Sequence, residues 1–152
     1  MDVLIDSIRA VETPTGMVPV VLLAPRDDPE SEAVFAIYVG VDEARSIARG
    51  QDAVDLPRPF THDLFLDAIE ELGGRVATVA VSDLEEGTYY ADLELDTPRT
   101  EASLDARPSD AIALAARTGA PIAVDDDLFE SESQNRQEFE DLAEIRELMR
   151  HE

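Results

Sequence analysis

The sequence predicts a single α+β domain, a mixed and largely antiparallel sheet with packed helices, followed by a C-terminal amphipathic helix. Two observations carry the prediction. The 152 residues are 44% hydrophobic and 31% charged, which supplies one core and leaves little for a second. Apolar runs of strand length also fall in groups before and after helical segments, with no strict strand–helix alternation and no repeat of solenoid length.

Three apolar runs, Val3–Val11, Met17–Ala24 and Val34–Val39, read as a strand meander punctuated by ETPTG and APRDDPESE. Pro19 removes a ladder donor from the second run, which predicts an edge strand or a bulge there. DEARSIAR, residues 42–49, favours a short helix ended by Gly50. After the loop QDAVDLPRP, Thr61 reads as an N-cap and Asp63 as a first-turn acid. Leu64, Phe65, Ala68, Ile69 and Leu72 then keep helical spacing up to Gly73 and Gly74. RVATVAVS and TYYADLELD alternate about DLEEG and read as a hairpin, with residues 102–106 extending its sheet. Pro108 and Asp110 suit the first turn of an alanine-rich helix that ends at Gly119, and its small side chains predict a place at the centre of the core. Ile122–Val124 is a last short strand. The acidic DDDLFESE run reads as solvated surface and SESQNRQ as a polar connector. Phe139, Leu142, Ile145 and Met149 line one stripe of a tail helix, so the expected division is a domain over residues 1–130 and a tail over 131–152. The connector lets the tail reach its own domain or a neighbour's, and a neighbour is favoured because sheet edges need cover.

Composition excludes several classes of function. The longest nearly apolar stretch, Val18–Pro25, is far short of the roughly 18 residues needed to cross a bilayer. The acidic, strand-like start does not match a secretory leader, so a cytoplasmic location is expected. With no cysteine, thiol chemistry, disulfides and thiolate metal sites are ruled out, and His62 and His151 are the only two histidines. Thirty-five acids face 12 bases, all arginine, for a net charge of −23. This is a halophile-like balance, because near-molar salt shrinks the Debye length to about 3 Å and screens the self-repulsion. Nucleic acid would then have to be recognised at short range, through arginine forks and helix N-termini.

Two helix starts, PRPFTHDL and DARPSDAI, each place Arg-Pro ahead of a first-turn aspartate. Together Arg58 and Arg107 can hold a phosphate beside exposed N–H groups, though good helix punctuation explains each start alone. His62 is a candidate general base or ligand, or a packed residue at the edge of an apolar face. Asp105 and Asp110 flank a strand-to-helix turn and can share Mg²⁺ or Mn²⁺, while in so acidic a chain close carboxylates also arise by chance. Ser109 beside Asp110 and His62 invites a hydrolase triad, but no nucleophile-elbow pattern surrounds it, and a turn-capping hydroxyl fits better. Tyr89 and Tyr90 point to opposite faces of their strand, one toward the core and the other free to stack on a base.

The segments IYVGVDEARSIA, LPRPFTHDLF, SDLEEGTYYADL and DARPSDAIALAARTGAPIAV, in this order and spacing, resemble the bifunctional nuclease (BFN) domain family over roughly residues 1–130. The salt-adapted composition would make the chain a halophilic, archaeal-type member. The resemblance implies an α+β fold, dimers, and DNase and RNase activity. It marks His62 and Asp63, then Asp83, Gly87 and Tyr89, then Asp105, Arg107, Ser109 and Asp110 as the positions that match the family's characteristic segments. The expected function is a metal-assisted phosphodiesterase acting on DNA or RNA. In it Asp105 and Asp110, with Asp63, hold the cation, His62 is base or acid, Arg58 and Arg107 clamp phosphate, and Ser109 and Tyr89 contact substrate. The alternatives are an oligomeric interaction module without catalysis and a binder of a small phosphorylated ligand.

Overall fold

A computed structural model describes residues 1–150 as one eight-stranded sheet with five helices; His151 lies outside the described residues. Strands β1 (Asp2–Thr13), β2 (Gly16–Pro25) and β3 (Ala33–Tyr38) form the first antiparallel meander. Strands β4 (Arg75–Glu85), β5 (Thr88–Asp96) and β6 (Glu101–Ala106) form the second. The short β7 (Ile122–Val124) joins them, antiparallel to β1 and parallel to β4, and β8 (Gln134–Asn135) borders β3, giving the order β6-β5-β4-β7-β1-β2-β3-β8. The fold is the expected mixed, mainly antiparallel α+β arrangement.

Pro19 sits inside the sheet, in the interior strand β2, without a bulge. The β2–β3 ladder ends at Val20–Tyr38, next to the residue that has no N–H to give, while the Pro19 carbonyl still accepts the Val39 N–H at 3.1 Å. The bulge falls instead in β1, between Ile5 and Ser7.

Helices α1 (Val41–Gln51) and α3 (Pro108–Thr118) cover one face of the sheet, and residues Ala111–Ala115 are all buried. Gly119 ends α3 in the left-handed conformation (φ 75°) that lets its N–H return to the Ala115 carbonyl at 2.8 Å. Helix α2 (Thr61–Glu71) breaks the expected pattern: none of its residues is buried, and Leu64, Phe65, Ala68 and Leu72 face outward, Leu72 being 80% exposed. Its inward side carries His62, Asp63, Leu66 and Ile69. Phe60, not Thr61, takes the N-cap position, its N–H bonded to the Asp63 carboxylate at 3.1 Å.

The tail is not one helix. The acidic run read as solvated surface folds into α4 (Asp126–Glu132), which spans the expected division at residue 130, and Phe129 packs on Phe35 with ring centroids 6.1 Å apart. Beyond it come a single 3₁₀ turn at Arg136–Glu138 and, among the described residues, one further α-helix, α5 (Ile145–Arg150). Phe139 and Leu142 fill the cluster of Val20, Leu22, Val34 and Ala36 on one sheet face, while Ile145 and Met149 join the larger cluster on the other. A straight helix cannot serve both faces, so the chain crosses over between them. In doing so it covers the free edge of β1: Ala10 N–H donates to the Ala143 carbonyl (2.9 Å) and Ile8 N–H to the Glu144 carboxylate (3.0 Å). Within this chain the tail docks on its own domain, and Arg136–Asp6 and Arg146–Asp52 ion pairs fasten it.

Candidate active site

Side chains from α1 and from the first turns of α2 and α3 meet at His62, which stands between two partners. Its Nε2 lies 2.9 Å from Asp110 Oδ1 and its Nδ1 lies 2.6 Å from Ser46 Oγ. An ionised carboxylate only accepts, so Nε2 carries the proton, and whenever the ring is neutral Nδ1 offers its lone pair to the Ser46 hydroxyl. Arg117 Nη2 donates to that same hydroxyl at 3.0 Å, leaving its hydrogen free to point at the ring.

The relay continues outward. Arg107 grips both Asp110 oxygens, Nε to Oδ2 at 2.9 Å and Nη2 to Oδ1 at 3.0 Å, and its Nη1 reaches Glu43 at 3.2 Å. Burial pushes the Asp110 carboxyl up, but the hydrogen bonds from Arg107 and then His62 outweigh it and hold Asp110 below the usual carboxylate range. Bonding to Asp110 in turn keeps the Arg107 guanidinium protonated beyond its ordinary range. Gly40, which caps α1, makes room for Glu43: a Cβ there would lie 2.2 Å from Glu43 Oε2.

A cavity of about 550 Å³ opens over this cluster, with Glu43, Ser46, Arg49, His62, Arg107 and Asp110 in its wall. Arg49 is the unusual member. Its guanidinium lies 4.6 Å over the Phe60 ring, its Nε is shut off from solvent and from every acceptor among the described residues, and burial followed by Arg117 lowers its pKa. In a chain of −23 net charge this cation faces the cavity with no ion pair among the described residues.

Of the residues anticipated for catalysis, His62 and Asp110 come together. Asp63, also on the inward side of α2, bonds neither of them: its Oδ1 accepts from Arg117 Nε at 2.7 Å. Burial raises Asp63, yet the bonds from Arg117 and the Phe60 N–H prevail and lower it. Asp105 is exposed near the end of β6 and lines, together with His62, Arg107 and Asp110, a second cavity of about 590 Å³. Arg107, Ser109 and Tyr89 line a third cavity, and Arg58 lies on the exposed loop before α2, outside all of these cavities. Tyr89 is a wall residue, packed on Phe35 at 5.0 Å between centroids, while Tyr90 points outward. The hydroxyl on His62 belongs to Ser46 and not to Ser109.

The arrangement does not suit a cation between Asp105 and Asp110. Both Asp110 oxygens already accept from Arg107 and His62, and no three His, Asp or Glu side chains among the described residues cluster as a ligand set. Ser46, Glu43, Arg49 and Arg117 were missed by the sequence reading. Only Arg117 carried a signal, lying seven residues after Asp110 and thus on the same side of α3.

Among the described residues no helix is long and apolar enough to cross a membrane. The chain is 42% identical over 116 residues to two proteins described as uncharacterized, from two strains of Mycobacterium tuberculosis; the match covers 76% of this chain and 66% of each relative, just under two thirds of their length. Residues 21–137 match the bifunctional nuclease domain, a span that takes in the end of β2, β3, the second meander, all three helix starts and the whole relay, and the chain belongs to that family.

Proposed function

We propose that the chain hydrolyses phosphodiester bonds of nucleic acid, DNA or RNA, in the cavity faced by His62. Family membership gives the reaction class, and one observation supports the place: a histidine oriented by a carboxylate opens on a cavity whose wall holds Arg107 and Arg49. In this reading the two guanidiniums bind phosphate oxygens and meet the charge that builds in the transition state. An attacking water passes its proton to Ser46 Oγ as the serine hydrogen moves to His62 Nδ1. The imidazolium that forms is balanced by Asp110 through Nε2–H. The phosphorus–oxygen ester bond then breaks and the leaving oxygen takes the proton back along the same path. No step passes through a metal, because the ligand set expected for one is occupied by Arg107 and His62.

The test is cleavage of single-stranded and duplex oligonucleotides in molar KCl, with and without EDTA. Wild type should cut in EDTA, and His62→Ala should lose 100-fold or more, the usual worth of a positioned base. Ser46→Ala should stay within about 10-fold, because a water fits where the hydroxyl was. Full activity in His62→Ala refutes the site; activity that needs added Mg²⁺ or Mn²⁺ returns the cation to the mechanism.

A second reading rests on α2. Leu64, Phe65 and Leu72 lie exposed beside the edge strand β6, where Leu104 is also exposed. Such a surface suits a second copy of the chain, and dimerisation through it is compatible with catalysis. Light scattering of a Leu64→Glu/Leu72→Glu variant separates the two: a smaller assembly locates the interface, and an unchanged mass removes it.

A further inference from the structure

The third cavity, about 440 Å³, lies on the opposite side of Arg107 from the His62 cavity. Its walls come from the end of β3 (Tyr38), the β4–β5 turn and Tyr89, and the first turn of α3 (Pro108, Ser109). Tyr38 is 53% exposed, and no aromatic ring among the described residues stacks on it. Tyr89 by contrast is braced against Phe35.

Ser109 is the second independent feature. The residue is only 8% exposed, yet its hydroxyl makes no hydrogen bond to any described residue and it lines the cavity. Its N–H precedes the first bonds of α3, which the Asp110 and Ala111 N–H groups make to the Arg107 carbonyl at 3.1 Å, so it too lacks a helical partner. An unpartnered hydroxyl on a largely buried residue and a free N–H at the positive end of an 11-residue helix, beside a guanidinium, form a cradle for a phosphate oxygen. The nearby acid, Asp110, is turned away into His62 and neutralised by Arg107.

We propose that this cavity is a nucleotide subsite: Ser109 and Arg107 hold one phosphate while Tyr38 stacks an unpaired nucleobase, so that the strand runs past Arg107 to His62. Its link to cleavage rests on the reading of the His62 cavity. The consequence is substrate class. A base inside a duplex has no face to offer Tyr38, so the substrate is single-stranded DNA or RNA.

Binding tests this without reference to cleavage. Adenosine monophosphate, ribose 5-phosphate and inorganic phosphate are titrated in molar KCl while the ring resonances of the three tyrosines are followed by NMR. The base should tighten binding about 10- to 100-fold over ribose 5-phosphate, with the Tyr38 resonances shifting. Tyr38→Phe should keep that advantage and Tyr38→Ala abolish it, leaving phosphate binding unchanged; Ser109→Ala should weaken all three ligands. Equal binding of the two sugar phosphates, a base preference that survives Tyr38→Ala, or no binding at millimolar concentration overturns the proposal. If the base preference is found and no oligonucleotide is cut, the subsite stands and the nuclease reading falls. If oligonucleotides are cut with no preference for single strands, the nuclease reading stands and the subsite falls.

Discussion

Arg117→Met is the sharpest test of how the site is held together. The Arg117 side chain is 9% exposed and makes four hydrogen bonds: to Asp63 (2.7 Å), to the Ser46 and Ala113 carbonyls (both 2.9 Å) and to the Ser46 hydroxyl (3.0 Å). Methionine keeps most of the buried stem but strands the Asp63 carboxylate. Removing one partner of a buried pair costs about 3–5 kcal/mol; because the Asp63 side chain is 32% exposed and can be partly rehydrated, the low end, about 3 kcal/mol, applies. Relief of the repulsion that Arg117 exerts on Arg49 offsets a little of this. For a domain of this size about 3 kcal/mol corresponds to a fall in Tm of about 6–12 °C. Thermal melting followed by circular dichroism in molar KCl measures it, and Asp63→Asn/Arg117→Met completes a double-mutant cycle. A fall of under about 2 °C, or additive single effects, would refute the view that this ion pair anchors α2 to α3 and with it the placement of His62.

The net charge of −23 with no lysine predicts a Tm that rises steadily from dilute buffer to molar KCl; a flat or falling series contradicts adaptation to salt. Asp63 and Asp110 are both held below the ordinary aspartate range, so their pairs add stability above about pH 4 and lose it as pH falls through the lowered values; acid titration of Asp63→Asn should show a shallower loss than wild type, and an identical slope removes that residue from the account. Gly40→Ala displaces only the end of the flexible Glu43 side chain, so Tm should move by no more than about 2 °C while activity falls as Arg107 loses a partner; unchanged activity would show that Glu43 does not position Arg107. Deleting residues 133–152 uncovers Val20, Leu22 and the β1 edge, and should lower stability without changing the assembly mass; a smaller assembly would place the tail between subunits after all.

What could be read from the chain was what local rules determine. The two meanders follow from alternation, and α3 from Pro108 at its start, Gly119 at its end and alanines between them. Helix α2 shows where such rules fail. Hydrophobicity alone turns Leu64, Phe65 and Leu72 inward, but the fold turns His62 and Asp63 inward, because Asp110 and Arg117, 48 and 54 residues away in sequence, satisfy them. No pattern within a helix encodes a partner on another helix. For the same reason nothing set Ser46 apart within DEARSIAR, and Ser109 stood out only through its RPSD segment. The tail was misjudged through geometry of a different kind: Phe139, Leu142, Ile145 and Met149 do share one stripe of an ideal helix, and nothing in that spacing says that two of them serve one face of a sheet and two the other. Helical spacing states only that a stripe is possible. Which surfaces are left open to receive it depends on the β1 edge, which the short β7 covers only at Asp2 and Val3 and leaves the tail to close.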